Sequence, residues 1–221
     1  MSSIGKSVLR LEDKPLLRGE GRFAADVSFP HQLHMRVVRS PVAHGIIKNI
    51  DLTEAKKAPG VIAVWVHEDV AHIPAISFRM TKIEGIEHYR QPILAKGKVR
   101  YIGEPIAVVF ATNAYLAEDA AELVVAEIQP LPPVLRPDGP IGPFDAERST
   151  EPATVLKESG NIEDACAQAS IVFDLNLEIS RHSGVPMETR GAVGRYDAAR
   201  DVLEMHGVAK VPHSNRNMIA A

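Results

Sequence analysis

Seven prolines fall between residues 130 and 152, at positions 130, 132, 133, 137, 140, 143 and 152. Proline fixes its own φ and has no backbone N–H, so a stretch this dense forms neither a helix interior nor a central strand. No hydrophobic period runs through it. Residues 131–160 therefore read as a linker or wrapping segment, which divides the chain into segments 1–130 and 161–221.

The first segment opens on a polar arm, with Gly19 and Gly21 set among charges. It reads as extended chain with a turn rather than an amphipathic helix, and such an arm needs a surface to lie on. Leu33 to Arg39 has strand character and ends at Ser40-Pro41. Gly45 to Asp51 is a second strand. Asp51, with Glu54 three positions on, fits a capping box for a short helix that stops at Pro59-Gly60. Val61 to Val66 is rich in β-branched residues and predicts a third strand. Residues 67–98 carry no sustained period. Arg100 to Ala111 reads as a strand interrupted by Gly103-Glu104-Pro105, because proline sits only at strand starts, edges or bulges. Asn113 is placed to cap an Ala-rich helix running to about Leu123.

In the second segment Asn161 caps another helix, with Glu163 and Asp164 in its first turn, through Cys166 to Ala169. Cys166 leans to the apolar side and reads as a buried, inert thiol. From Ile171 to Arg181 apolar and polar residues alternate, which predicts a strand with one buried face. Gly191–Asp197 and Val202–Gly207 read as a hairpin joined at Ala198 to Arg200, and Pro212 opens a terminal helix. About 60 residues of this kind hold too little apolar surface to close a core. This part is expected to be unfinished, its remainder lying elsewhere.

Composition narrows the partners. The formal net charge of -3 argues against nucleic-acid binding. No apolar run approaches the roughly 20 residues that span a bilayer, and the first residues lack the apolar stretch of a secretory signal. A cytoplasmic protein that binds neither membrane nor nucleic acid is expected. One cysteine allows no disulfide framework and no Cys-ligated cluster within the chain.

Few motifs carry chemistry. His31 and His34, or His67 and His72, lack a third ligand on a shared helix, so they make no metal site by pattern. Gly19-Glu-Gly21 lacks the strand and helix of a dinucleotide fingerprint. No nucleophile elbow occurs, so a stand-alone hydrolase has no constellation to support it. Glu104 reads as a backbone-bonded or solvated bulge residue. The stretch from Arg181 to Arg190, Arg-His-Ser-Gly-Val-Pro-Met-Glu-Thr-Arg, is the candidate functional loop. Within it Glu188 fits a carboxylate held by a flanking arginine, Arg181 or Arg190, as an ion pair that fixes the loop.

Several segments occur in a telling order: Arg10-Leu-Glu-Asp13, Leu17-x-Gly19-x-Gly21-Arg-Phe23, Arg39-Ser-Pro-x-Ala-His44, Pro59-Gly-Val61, Val99 to Ala107, Leu131-Pro-Pro-Val134 and Pro186-Met-Glu-Thr-Arg190. Together they resemble the N-terminal part of the molybdenum-pterin-binding large subunit of the xanthine dehydrogenase, aldehyde oxidase and carbon monoxide dehydrogenase family.

The resemblance implies an α+β fold. Residues 1–130 would be the arm and an α/β-hammerhead domain, and 161–221 the start of an incomplete α/β molybdopterin-binding domain. It implies a molybdenum hydroxylase that uses water-derived oxygen on aldehydes or N-heterocycles. Molybdenum-molybdopterin would be the cofactor, with [2Fe-2S] clusters and FAD on partner subunits of a hetero-oligomer. A Gly-Gly-Gly-Phe-Gly loop and a late glutamate general base, both expected in the family, do not occur in these residues. The chain is thus expected to be a part of the subunit or a split subunit, not catalytic alone. No catalytic residue and no metal ligand is assigned within it. His182, six positions before Glu188, is the near-metal, cofactor-binding candidate, and Glu188 and Arg190 would brace the loop. The alternative is a non-catalytic hammerhead assembly or binding module.

Overall fold

The computed structural model describes residues 4–78, 83–180, 182–207 and 210–220. Its helices are α1 (Asp13–Leu17), α2 (Thr53–Lys57), α3 (Ala114–Glu122), α4 (Ile162–Gln168) and α5 (Pro212–Ala220). Its strands are β1 (His34–Arg39), β2 (Gly45–Asp51), β3 (Val61–Trp65), β4 (Lys98–Val99), β5 (Pro105–Ala111), β6 (Val125–Pro130), β7 (Ala192–Asp197) and β8 (Val202–Gly207). The chain forms two units, one of residues 31–172 and one that joins residues 1–30 to 173–221.

The larger unit holds two antiparallel sheets, ordered β1-β5-β3 and β4-β2-β6. β5 is central to the first and is buried along most of its length. On one face Val109 meets Ala55 of α2, Ala120 of α3 and Val64 of β3. On the other, Val108 packs on Val70 and Leu94. A third cluster of Ala95, Val99 and Ile106 gathers Ile47, Ile50 and Ile128 from the second sheet.

Local signals explain most of these boundaries. Asn113 Oδ1 accepts the Leu116 N–H at 2.9 Å and starts α3. Of the strand expected from Arg100 to Ala111, only Pro105 onward forms, as β5, opposite a register shift between Val38 and Arg39; residues 100–104 turn between it and β4, which belongs to the other sheet. The capping box expected at Asp51 and Glu54 does not form. Asp51 Oδ1 accepts the Thr53 N–H at 2.9 Å, which turns the chain before the helix, and Leu52 takes the N-cap position. The Thr53 side chain and, after it, this backbone hydrogen bond hold the Asp51 carboxyl below its ordinary range. Glu54 is drawn instead to Lys57 Nζ at 2.8 Å, one turn on.

Several ordered motifs of the first segment are structural joints. Ser40 N–H donates to the Glu104 carbonyl at 2.9 Å, and Gly103 N–H donates to the Ser40 carbonyl at 2.8 Å. Arg39 Nη1 donates to the Gly103 carbonyl at 2.9 Å. His44 Nδ1 lies 2.8 Å from the Pro132 carbonyl, an acceptor, which places the proton on that nitrogen. The Ser-Pro, Gly-Glu-Pro and Leu-Pro-Pro segments therefore lock one another.

The proline-rich stretch wraps. Phe144 and Tyr89 rings lie 4.9 Å apart, with Arg100 over Phe144 at 4.3 Å and Arg148 over Tyr89 at 5.4 Å. Tyr89 Oη donates to the Ser149 carbonyl at 3.0 Å. Asp145 and Arg148 form an ion pair that holds the aspartate down at about 2.

Three expectations are corrected. Residues 171–180 form no strand: no described segment pairs with them, and Ile171, Val172, Phe173, Leu175, Leu177 and Ile179 are 59–91% exposed. Alternation specifies a face, but a strand also needs neighbouring N–H and C=O groups to pair with. Cys166 is exposed, not buried, because α4 has no packed face among the described residues. The arm contains a short helix, α1, where only extended chain was expected; Arg10 and Asp13 pair across its start at 2.9 Å. The expected hairpin forms as β7–β8, with Ala192 opposite Gly207 and Asp197 opposite Val202.

Candidate functional site

The loop before β7 is irregular, and its side chains are exposed except for Glu188, which is half-buried. Val185 takes a positive φ of 40°, and its N–H donates to Ser183 Oγ at 3.2 Å. His182 is exposed with no hydrogen-bond partner among the described residues, and the same holds for Arg190. Arg181 lies outside the described residues.

Glu188 is not held by arginine within the described residues. Its Oε1 accepts the backbone N–H of Ala24 at 3.1 Å, from a position 164 residues earlier. Ala24 opens a single 3₁₀ turn, Ala24–Asp26, and the first N–H of such a turn has no partner inside it. The turn is set by Asp26, whose Oδ2 accepts the Phe23 N–H at 2.9 Å. The contact that the described residues give Glu188 is thus to backbone, and an ion pair with Arg181 falls outside them.

Further arm contacts lie nearby in the chain. A Cβ placed on Gly191 would touch Ala24 Cβ at 3.5 Å. The Phe29 ring lies 5.6 Å from the His206 ring, with the Arg195 guanidinium 4.9 Å over its face. His206 Nε2 is shielded from solvent and has no partner among the described residues. Arg195 also bonds Glu204 at 2.6 Å, and Arg200 bonds both Asp197 and Glu204. These arginines hold Asp197 and Glu204 below the ordinary carboxylate range.

The structure brings Glu188 to the arm and leaves His182 and Arg190 exposed on the same loop. The sequence reading missed Ala24, Phe29 and His206. Ala24 acts through its backbone, which no residue type advertises; only the need of a polar arm for a surface pointed that way. No group of three or more His, Cys, Asp or Glu side chains among the described residues could hold a metal ion. No helix among them is long and apolar enough to cross a membrane.

Comparison with known proteins places this geometry. The family model described as aldehyde oxidase and xanthine dehydrogenase, a/b hammerhead domain, matches residues 18–132. The molybdopterin cofactor-binding domain matches residues 147–221. The chain is 44% identical to the 6-hydroxypseudooxynicotine dehydrogenase complex subunit gamma of Paenarthrobacter nicotinovorans, over 98% of this chain and 28% of that protein. It is 37% identical to the nicotine 6-hydroxylase large subunit of the same organism, over 95% of this chain and 26% of that protein. Among solved structures, quinoline 2-oxidoreductase from Pseudomonas putida 86 matches with a TM-score of 0.88 and 35% identity, over 99% of this chain and 28% of that one. The chain therefore spans little more than a quarter of the length of these three relatives. Its mixed helix-and-strand fold is a hammerhead domain with part of a molybdopterin-binding domain, and the chain belongs to the aldehyde oxidase and xanthine dehydrogenase family.

Proposed function

We propose that the chain forms the hammerhead scaffold and one edge of the molybdopterin site in a molybdenum hydroxylase acting on N-heteroaromatic compounds. The observation that carries this reading is the unbroken likeness across both matched domains to proteins named for nicotine, 6-hydroxypseudooxynicotine and quinoline. The molybdopterin-domain match also favours it over a hammerhead module without cofactor contact.

The loop fits such an edge. His182 and Ser183 stand exposed on it. These groups suit a polar heterocycle that offers donors and acceptors along its rim. When bound, molybdenum-molybdopterin supplies the two-electron redox centre. His182 would donate a hydrogen bond at the metal side, while Glu188 and Arg190 hold the loop. Domain roles follow from the same reading: arm and hammerhead scaffold in residues 1–130, linker in 131–160 and cofactor edge in 161–221. The remainder of the large subunit, an iron-sulfur subunit and an FAD subunit would complete a cytoplasmic enzyme.

The test is turnover by the assembled enzyme with quinoline-, pyridine- and purine-type substrates, simple aldehydes and carbon monoxide, in water enriched in heavy oxygen. Labelled oxygen in an N-heteroaromatic product supports the reading. Turnover of aldehydes or carbon monoxide alone would overturn the substrate class.

A further inference from the structure

The arm was expected with the hammerhead segment, yet its contacts run to the loop and hairpin at the other end of the sequence. Three contacts are independent in chemistry. Ala24 N–H meets the Glu188 carboxylate, Ala24 Cβ faces Gly191, and Phe29 lies under Arg195 and against His206. Two fall near the end of the loop and one on the hairpin that follows. Within the loop Glu188 is the residue that is not exposed.

We infer that residues 20–30 are a positioning strap for the 182–191 loop, and that Glu188, held at Ala24 N–H, is the positioning residue through which the strap acts. The inference rests on the reading of that loop as an edge of the molybdopterin site, and assigns the arm to the cofactor side. A loop without regular structure has no ladder to fix it, so its order comes from such tethers. The acceptor need not be charged: a glutamine carbonyl in the same place would accept the same N–H. The donor can be removed as cleanly. Phe23 is extended, with φ -109° and ψ 170°, and Ala24 opens a 3₁₀ turn, so proline fits at position 24 without its N–H.

The experiment uses the assembled enzyme from its native host, with Glu188→Ala, Glu188→Gln, Ala24→Pro and the double variant Glu188→Ala/Ala24→Pro. It reads tryptic cleavage after Arg22, amide exchange across residues 183–191, pterin retained per subunit, and thermal midpoint. A hydrogen bond to a carboxylate is worth enough to raise cleavage and loop exchange about tenfold when lost. Glu188→Ala and Ala24→Pro should each do so and lower retained pterin, while the midpoint stays. The double variant should add nothing to either single change, and Glu188→Gln should match wild type. The strap is overturned by unchanged exchange and pterin in Glu188→Ala, by Glu188→Gln as impaired as Glu188→Ala, or by additive singles. Wild-type enzyme free of pterin would overturn the cofactor reading instead, and cleavage and exchange would still decide whether the arm orders the loop.

Discussion

Ser40 and Glu104, each 2% exposed, are joined at their backbones, Ser40 N–H to the Glu104 carbonyl at 2.9 Å. The Glu104 side chain then turns back, and its Oε2 accepts the Arg100 N–H. Ser40 Oγ closes its own turn, donating to the Val42 carbonyl at 2.8 Å. The joint ties the end of β1 to the entry of β5, so its polar groups serve architecture.

Removing the Glu104 carboxylate should therefore weaken the sheet rather than chemistry. Glu104→Ala removes the charged acceptor of the Arg100 N–H from a part-buried hydrogen bond, which should cost about 1–3 kcal/mol. Glu104→Gln keeps an acceptor and should cost less. Trp65, the one tryptophan, lies on β3 and packs edge-on against Phe110 of β5 at 4.6 Å. Its fluorescence during urea unfolding reads this sheet.

Gly60 allows no side chain. Its φ is +73°, and an added Cβ would lie 2.5 Å from Leu116 Cδ1 and 2.8 Å from Thr112 Oγ1. Gly60→Ala should lower stability by about 2 kcal/mol or more through backbone strain and overpacking. The same Trp65 signal would show it as a lower urea midpoint.

Asn113→Ala removes the acceptor for the Leu116 N–H and should destabilise α3 by about 1 kcal/mol. Asn113→Asp keeps the cap and should stay near wild type. Circular dichroism and urea unfolding of the pair distinguish a lost cap from a lost side chain.

The wrapping segment should loosen in acid. Arg148 hydrogen-bonds Asp145 and holds its carboxyl at about 2, below the ordinary value near 3.8. A depressed carboxylate contributes stability above its unfolded pKa and loses it as pH falls through the folded one. The contact should thus hold above about pH 4 and fade between 4 and 2. A carboxyl-carbon NMR titration should show Asp145 inflecting near 2, and Arg148→Ala should return it towards the ordinary range.

Much of the fold was legible because its signals are local. Asn113 and Asn161 each start a helix with their own side chain, and Pro105 begins a strand where the missing N–H is harmless. The β7–β8 pairing follows from two apolar runs and a short joint. What escaped depends on partners distant in sequence. Leu175 and Leu177 alternate as a strand should, but no described strand pairs with them. Cys166 lies on a helix with nothing packed on it. At the site, Glu188 was legible as a held carboxylate, but its holder was not, since Ala24 offers only backbone.

The proposed role of this chain is that of the N-terminal part of a molybdenum-pterin subunit in a larger complex. It is tested most directly by purifying the chain with its native partners and measuring molybdenum, iron and flavin on the complex. The chain should co-purify with the rest of the subunit and with all three present, at about one molybdenum and one flavin for each four irons, the content of two [2Fe-2S] clusters. A natively folded chain that emerges alone and free of molybdenum, iron and flavin would contradict it.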